Sequence, residues 1–342
     1  MTNKRIVGVS PWSHPDYDLM KAAGIEWVRL GFSFPFEDQL GGRLTAKFET
    51  ELAETRRVAG LGLRIMGITP LAGIMAFDKQ DGKTAWRPEL PAWSGTPADE
   101  SYFRVYETAC EVIGELTRDV VEMWQVSNEM DIEVFRGPMT VEEAGRFMLA
   151  GARGVRRTSP TSRPGINPAI LKGDGQKLFE MLYRIPGTPF SYAGIDGYFG
   201  SWAPGGPEDW LPLIEDIQHL TGQEVLVNEW GYSSLGGSVK PAIAGLSPEQ
   251  TSVCEVGAWH YAWRDAHTPP EQAAYVKIAL KLFATYPGVL GSFFYDWGDD
   301  PTCFHCGRSE CPSECGWGLV DSTGKPKPAY YAFKEIIAQY YQ

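Results

Sequence analysis

The sequence predicts an α/β protein folded as a single (β/α)8 barrel. Three observations predict it. Short apolar runs alternate with helix-period stripes from one end of the chain to the other, the order of parallel strands joined by crossover helices. There are eight such runs. The chain has 342 residues, 43% of them hydrophobic, enough core for one barrel with its loops.

The runs fall at 6–9, 27–30, 64–68, 120–126, 165–167, 195–198, 224–227 and 289–295. Each is three to seven residues, too short for a helix and of the right length for a strand buried on both faces. Between the third and fourth, Phe103, Tyr106, Cys110 and Ile113 recur at helical spacing. Thr140 and Glu143 form a capping-box pattern ahead of the helix that follows the fourth run. Trp210, Leu213, Ile214 and Ile217 make the stripe after the sixth run, and Val276, Ala279, Leu280 and Phe283 the stripe before the eighth. Phe333, Ile336, Ile337 and Tyr340 close the chain. Eight units use residues 5 to 342, so residues 1–342 are read as one domain. The segments 70–100, 231–268 and 297–325 are read as long loops on the carboxyl-terminal face, where barrels build their sites.

Composition narrows the partners. The formal net charge is −12, a surface that repels a phosphate backbone, so nucleic acid is excluded as a partner. No run of about 18 apolar residues exists, so no membrane span is expected. The opening MTNKRIVGVS runs directly into an apolar strand without a secretory h-region, and a cytoplasmic protein is expected. Twelve Trp and 15 Tyr supply aromatic faces that suit sugar C–H faces, although most rings in any protein serve packing. The sequence is silent on oligomeric state.

Two glutamates carry the chemistry. The fourth run ends in Trp124-Gln125-Val126-Ser127-Asn128-Glu129, and the seventh in Val227-Asn228-Glu229-Trp230-Gly231. Glycoside cleavage needs one carboxyl group to protonate the leaving oxygen and a second, ionised, to attack the anomeric carbon. One Glu at a strand end is commonplace. Two Asn-Glu pairs on strands four and seven of eight are far more specific.

On these motifs the chain resembles glycoside hydrolase clan A, the retaining barrel glycosidases with catalytic Glu on strands four and seven, and is similar in general look to families 5, 39 and 42. The resemblance covers nearly the whole chain. It implies that Glu129 is the general acid/base, Glu229 the nucleophile, and that Asn128 binds the hydroxyl next to the anomeric carbon. In WVRLGFSF it implies that Arg29 binds and orients Glu229, and in FFYDW that Trp297 lies under the bound sugar. WGLVDSTGKPKPAYYAF matches the clan's run into its final helix. The sixth strand departs from the clan's His-X-Tyr-like run and reads Asp196-Gly197-Tyr198-Phe199-Gly200-Ser201-Trp202. Tyr198, then Trp202, is assigned that substrate-side role. Arg29 and Trp297 also admit plain readings, a rim ion pair and a core ring. So do His14, His260, Asp299 and Asp300 as loop residues.

Of six cysteines, Cys110 falls on a helix stripe as a buried apolar residue, and Cys254 has no reading. Cys303, Cys306, Cys311 and Cys315 cluster within an insertion at 298–316. Four thiolates fill a tetrahedral zinc site and leave no open position, so a structural zinc is expected, with disulfides or an iron–sulfur cluster as alternatives. Catalysis itself is expected to need no cofactor. The function expected is retaining, exo-acting hydrolysis of a β-linked carbohydrate. The competing readings are a transglycosylase or an α-L-arabinofuranosidase with the same two Glu, a catalytically inactive carbohydrate-binding barrel, and a metal-dependent barrel enzyme. The last is disfavoured because four Cys leave the metal no site for substrate.

Overall fold

A computed structural model describes residues 5–78, 83–237, 245, 252–264 and 266–341 of the chain. The expected readings at 79–82, 238–244 and 246–251, all inside the long loops, lie outside the described residues. In chain order the elements are β1 (Ile6–Val9), α1 (Tyr17–Ala22), β2 (Trp27–Gly31), α2 (Ala46–Gly60), β3 (Arg64–Ile68), β4 (Gly73–Asp78), β5 (Lys83–Pro88), α3 (Glu100–Thr117), β6 (Val121–Gln125), α4 (Glu133–Arg136) and α5 (Val141–Thr158). They continue with β7 (Arg163–Gly165), α6 (Gln176–Tyr183), β8 (Ala193–Gly197), α7 (Trp210–Thr221), β9 (Val225–Trp230), α8 (Val253–Val256), α9 (Pro269–Thr285), β10 (Val289–Phe294) and α10 (Pro328–Tyr340).

Eight strands form one sheet in the order β7-β6-β3-β2-β1-β10-β9-β8, a parallel (β/α)8 barrel that is nearly closed. The seam between β7 and β8 carries single backbone bonds, Ser191 N–H to the Pro164 carbonyl at 2.8 Å and Asp196 N–H to the Pro168 carbonyl at 3.0 Å. β7 is three residues long and reads Arg-Pro-Gly. Proline has no N–H to give, so a continuous ladder cannot form on it.

By packing, the chain divides into two units. One comprises Val28–Asp196 and Asp216–Leu226. In it α3 lies flat on α5 because residue 154 is glycine: a Cβ there would meet the Glu107 carbonyl at 2.3 Å. Tyr106 of α3 stacks on Phe147 of α5 with ring centroids 3.6 Å apart. The Thr140 hydroxyl accepts from Glu143 N–H at 3.1 Å while the Glu143 carboxylate accepts from Thr140 N–H at 2.7 Å, the capping box expected from the sequence. The segment 70–100 is more than a loop. β4 and β5 pair antiparallel within it, Gly73 opposite Pro88 through Asp78 opposite Lys83.

The other unit comprises Met1–Trp27, Gly197–Glu215 and Val227–Gln342. Here β1 pairs with β10 in parallel, Ile6 beside Gly291 through Val9 beside Phe294. Trp230 packs on Phe283, Phe294 and Phe333 at 5.1, 5.0 and 6.3 Å, joining β9 and β10 to α9 and α10. Among the described residues, no helix is long and apolar enough to cross a membrane.

Candidate active site

The end of β6 is held in an uncommon backbone shape. Ser127 and Glu129 have φ of 61° and 41°, left-handed values that cost a non-glycine residue roughly 1–3 kcal/mol each. Buried hydrogen bonds offset that cost. Ser127 N–H donates to the Thr69 hydroxyl at 2.8 Å, and Thr69 in turn shares a 2.8 Å bond with the Tyr106 hydroxyl. Gln125 Nε2 donates to the Ser127 carbonyl and to Asn128 Oδ1, both at 2.9 Å. Asn167 Nδ2 also donates to Asn128 Oδ1, at 2.8 Å, and to Asp196 Oδ2 at 2.6 Å. With its oxygen accepting twice, the Asn128 amide has its flip fixed and Nδ2 as its remaining donor. Glu129 follows half-buried, at the end of this network. Two residues on, Asp131 accepts from the amides of Ala169 and Ile170 at 3.0 and 2.8 Å, and burial pushes its carboxyl above the usual range.

Glu229 sits within β9, with its side chain 7% exposed. The Tyr198 hydroxyl, just past β8, donates to Glu229 Oε2. Tyr198 is itself held by rings: Trp317 at 5.0 Å and Tyr295 at 6.0 Å, both edge-on. Gly231 makes this approach feasible, because a Cβ there would lie 2.3 Å from the Tyr295 carbonyl. Tyr295 N–H donates to the Trp230 carbonyl at 2.8 Å and so locks the ends of β9 and β10 together.

The remaining sequence-predicted residues divide. Arg29 is buried on β2, 2% exposed. Trp202 is 48% exposed and meets Trp259 edge-on at 4.8 Å, so a broad aromatic face is open to solvent. Trp297 needs correction. It is fully buried, its indole N–H donates to the His14 carbonyl at 3.1 Å, and its ring packs edge-on against Tyr330 of α10. A platform under a sugar needs an open face, and Trp297 offers none. Half-buried Tyr295, at the end of β10 beside Tyr198, has the better placement. Asp299 binds no hydroxyl either: it forms a buried ion pair with Lys327 at 2.8 Å and accepts Gly318 N–H at 2.7 Å. Asp300 accepts from the Ser13 hydroxyl, and His260 lies half-buried beside Tyr261.

Gln125, Asn167, Asp196, Tyr295 and Trp317 were not singled out in the sequence. Gln125 and Asn167 had one available signal, a polar residue at the carboxyl end of a strand pointing into the barrel. Tyr295 and Trp317 had none, since their roles arise from ring packing across loops.

The cysteines are brought together differently from the expected set. The sulfurs of Cys254, Cys303, Cys306 and Cys311 all lie within 4.8 Å of one another. Cys315 stands beside them, but its thiol donates to the Arg308 carbonyl at 3.7 Å. Cys254, on α8, takes the place assigned to it.

No family model matches the chain, and no curated protein matches it. Solved structures do match. One is family 5 subfamily 18 from Streptomyces cattleya in complex with GlcNAc, at 15% identity and TM-score 0.67, covering 98% of this chain and 80% of that one. A second is the family 53 catalytic domain of Ignisphaera aggregans, at 16% identity and TM-score 0.62, covering 98% and 97%. A third is the exo-β-1,4-mannosidase Op5Man5 from Opitutaceae bacterium strain TAV5, at 16% identity and TM-score 0.63, covering 99% and 60%. The chain spans only about a third to a half of several larger glycosidases that it also matches. These neighbours are glycoside hydrolases, and the fold is the one they share with this chain. The resemblance to clan A read from the motifs therefore holds at the level of the barrel.

Proposed function

We propose that this protein is a retaining glycoside hydrolase acting on a β-linked sugar, with Glu229 as nucleophile and Glu129 as general acid/base. The observation that carries the reading is the setting of Glu229. It is a carboxylate at a barrel strand's carboxyl end, almost wholly buried, with the Tyr198 hydroxyl donating to one oxygen. A carboxylate held in one orientation is what in-line attack on an anomeric carbon requires. The barrel shared with glycoside hydrolases supports the same reading.

In the first step a Glu229 oxygen bonds to the anomeric carbon while the bond to the leaving oxygen breaks, and Glu129 gives its proton to that oxygen. In the second, Glu129 takes a proton from water, the water oxygen bonds to the anomeric carbon, and Glu229 leaves. Asn128 donates from Nδ2 to the neighbouring hydroxyl, and Arg29 orients Glu229, as the clan resemblance implies. Trp202 and Tyr295 offer the sugar its aromatic faces. Long segments after β3, β9 and β10 favour a pocket that admits a chain end, so cleavage is exo, as the name of the mannosidase neighbour says of that protein. Catalysis needs no cofactor in this reading, and any metal at the cysteines is structural. Six free thiols suit a reducing compartment such as the cytoplasm.

The test is a panel of 4-nitrophenyl gluco-, galacto-, xylo-, manno- and arabinofuranosides, run on wild type and Glu229→Gly. Turnover of one β-linked donor, lost in the variant, is the expected result. A best donor of the α-arabinofuranoside type, or glycosyl transfer outrunning hydrolysis, overturns the substrate or the reaction assigned. No turnover of any donor, with sugar binding retained, would make this an inactive binding barrel. Early release of mid-chain oligosaccharides from a polymer refutes exo action.

A further inference from the structure

We infer that Cys254, Cys303, Cys306 and Cys311 hold one Zn2+, which staples the loop after β9 to the loop after β10 and so orders the aromatic wall behind Tyr198.

The spacing of the sulfurs suits a tetrahedron: all four lie within 4.8 Å of one another, and two of the distances match its edge. Zinc–sulfur bonds of about 2.3 Å put the corners of a tetrahedron about 3.8 Å apart. Cys254 Sγ lies 3.8 Å from Cys303 Sγ and 3.6 Å from Cys311 Sγ. A disulfide needs about 2.05 Å, and all four thiols are free. An iron–sulfur cluster interposes a core of iron and sulfide between its thiolates, which four sulfurs within 4.8 Å leave no room for.

The backbone is arranged for thiolates as well. Cys303-Phe304-His305-Cys306-Gly307 forms a tight turn: Gly307 has φ of 75°, and its N–H donates to the Cys303 carbonyl at 2.7 Å. The amides of Cys306 and His305 face the Cys303 sulfur, and the amide and guanidinium of Arg308 face the Cys306 sulfur. These are the outer contacts that orient metal ligands and spread their charge. Arg308 also offsets part of the double negative charge that four thiolates leave on a divalent ion.

Such an insertion needs the metal. Residues 303–316 are polar and rich in Gly, Pro and Ser, with little apolar surface to order them. Yet they hold the wall in place. Trp317 Nε1 donates to the Ser313 carbonyl at 2.7 Å, and Ser233 Oγ donates to the Pro312 carbonyl at 3.3 Å. Val253, next to the Cys254 ligand, packs with Trp259 and Trp317, against which Tyr198 and Tyr295 lie. The staple thus has both its ends one residue or a few from the rings that fix Tyr198.

The experiment measures metal, so its outcome is independent of whether the protein turns over any glycoside. Elemental analysis of full-length protein should give one zinc per chain and little iron. Cys254→Ser should lose it, whereas Cys254→His, which restores a zinc ligand, and Cys315→Ser should keep it. Stripping the metal should flatten the near-ultraviolet circular dichroism of the Trp259–Trp317 cluster and leave the far-ultraviolet barrel signal unchanged. Metal-free wild type with freely titrating thiols or with disulfides, iron in place of zinc, or a Cys315→Ser variant that loses metal while Cys254→Ser keeps it, each overturns the inference.

Discussion

Replacing Tyr198 with Phe isolates one hydrogen bond. The phenol donates to Glu229 Oε2, while the ring is fixed by edge-on contacts with Trp317 at 5.0 Å and Tyr295 at 6.0 Å. Phenylalanine keeps both contacts and removes only the donor, so the wall should stay and the melting temperature should move little. A hydrogen bond to an ionised group is worth about 1.5–3 kcal/mol. If that bond holds the nucleophile on its line of attack, its loss appears in the transition state. The rate should then fall roughly 10- to 150-fold. The fall belongs in kcat, with KM nearly unchanged, because Tyr198 acts through Glu229 rather than by holding the ring in the ground state. Steady-state kinetics on the best aryl glycoside, with thermal melts of both proteins, read the two quantities. A variant within two- to threefold of wild type would refute the positioning role. A loss seen wholly in KM would make Tyr198 a sugar-binding residue instead.

Other outcomes follow from the same reasoning. Glu129→Ala should slow donors with poor leaving groups far more than those with activated phenolates, which need little protonation; equal losses would mean the two roles are misassigned. A crystal structure should find the Glu129 and Glu229 carboxyls about 5–5.5 Å apart, and product NMR should show retained configuration, with inversion or a wider gap refuting double displacement. Glu89 offers a pH test of stability. Burial, against the nearby Lys47 and the Leu71 amide, raises its carboxyl from 4.5 to about 7. The folded state therefore keeps a proton that the unfolded state has lost. Stability from this group is full below about 4.5, drains as pH rises, and is gone above about 7, a change of up to about 3 kcal/mol. Glu89→Gln, always neutral, should flatten the melting-temperature profile across that window, and a profile parallel to wild type would refute the assignment.

Much of this protein is written locally. Most barrel strands lie where short apolar runs lie, because a strand buried on both faces has to be a short, nearly continuous apolar run, whereas β7 reads Arg-Pro-Gly and overlaps its expected run only at Gly165. The Thr140 capping box needs only residues three apart. The placement of Glu129 and Glu229 at the ends of β6 and β9 was legible for the same reason: a strand's end is a local feature.

What tertiary structure decided is which way side chains face and which distant groups meet. Trp297 ends the last strand as a sugar platform would, yet its ring turns into the wall because Tyr330 and the His14 carbonyl, far off in sequence, take it. The β4–β5 hairpin depends on pairing across a loop whose residues carry weak strand signals. The support of Asn128 is assembled from Gln125 on β6, Asn167 just past β7 and Asp196 on β8. Cys254 joins the cysteine cluster from 49 residues before Cys303, and Cys315, only a few residues from its neighbours, turns aside to a carbonyl. Spacing along a chain measures distance only while the backbone runs regularly. Loops between barrel strands fold back on themselves, and there packing alone sets which residues come together.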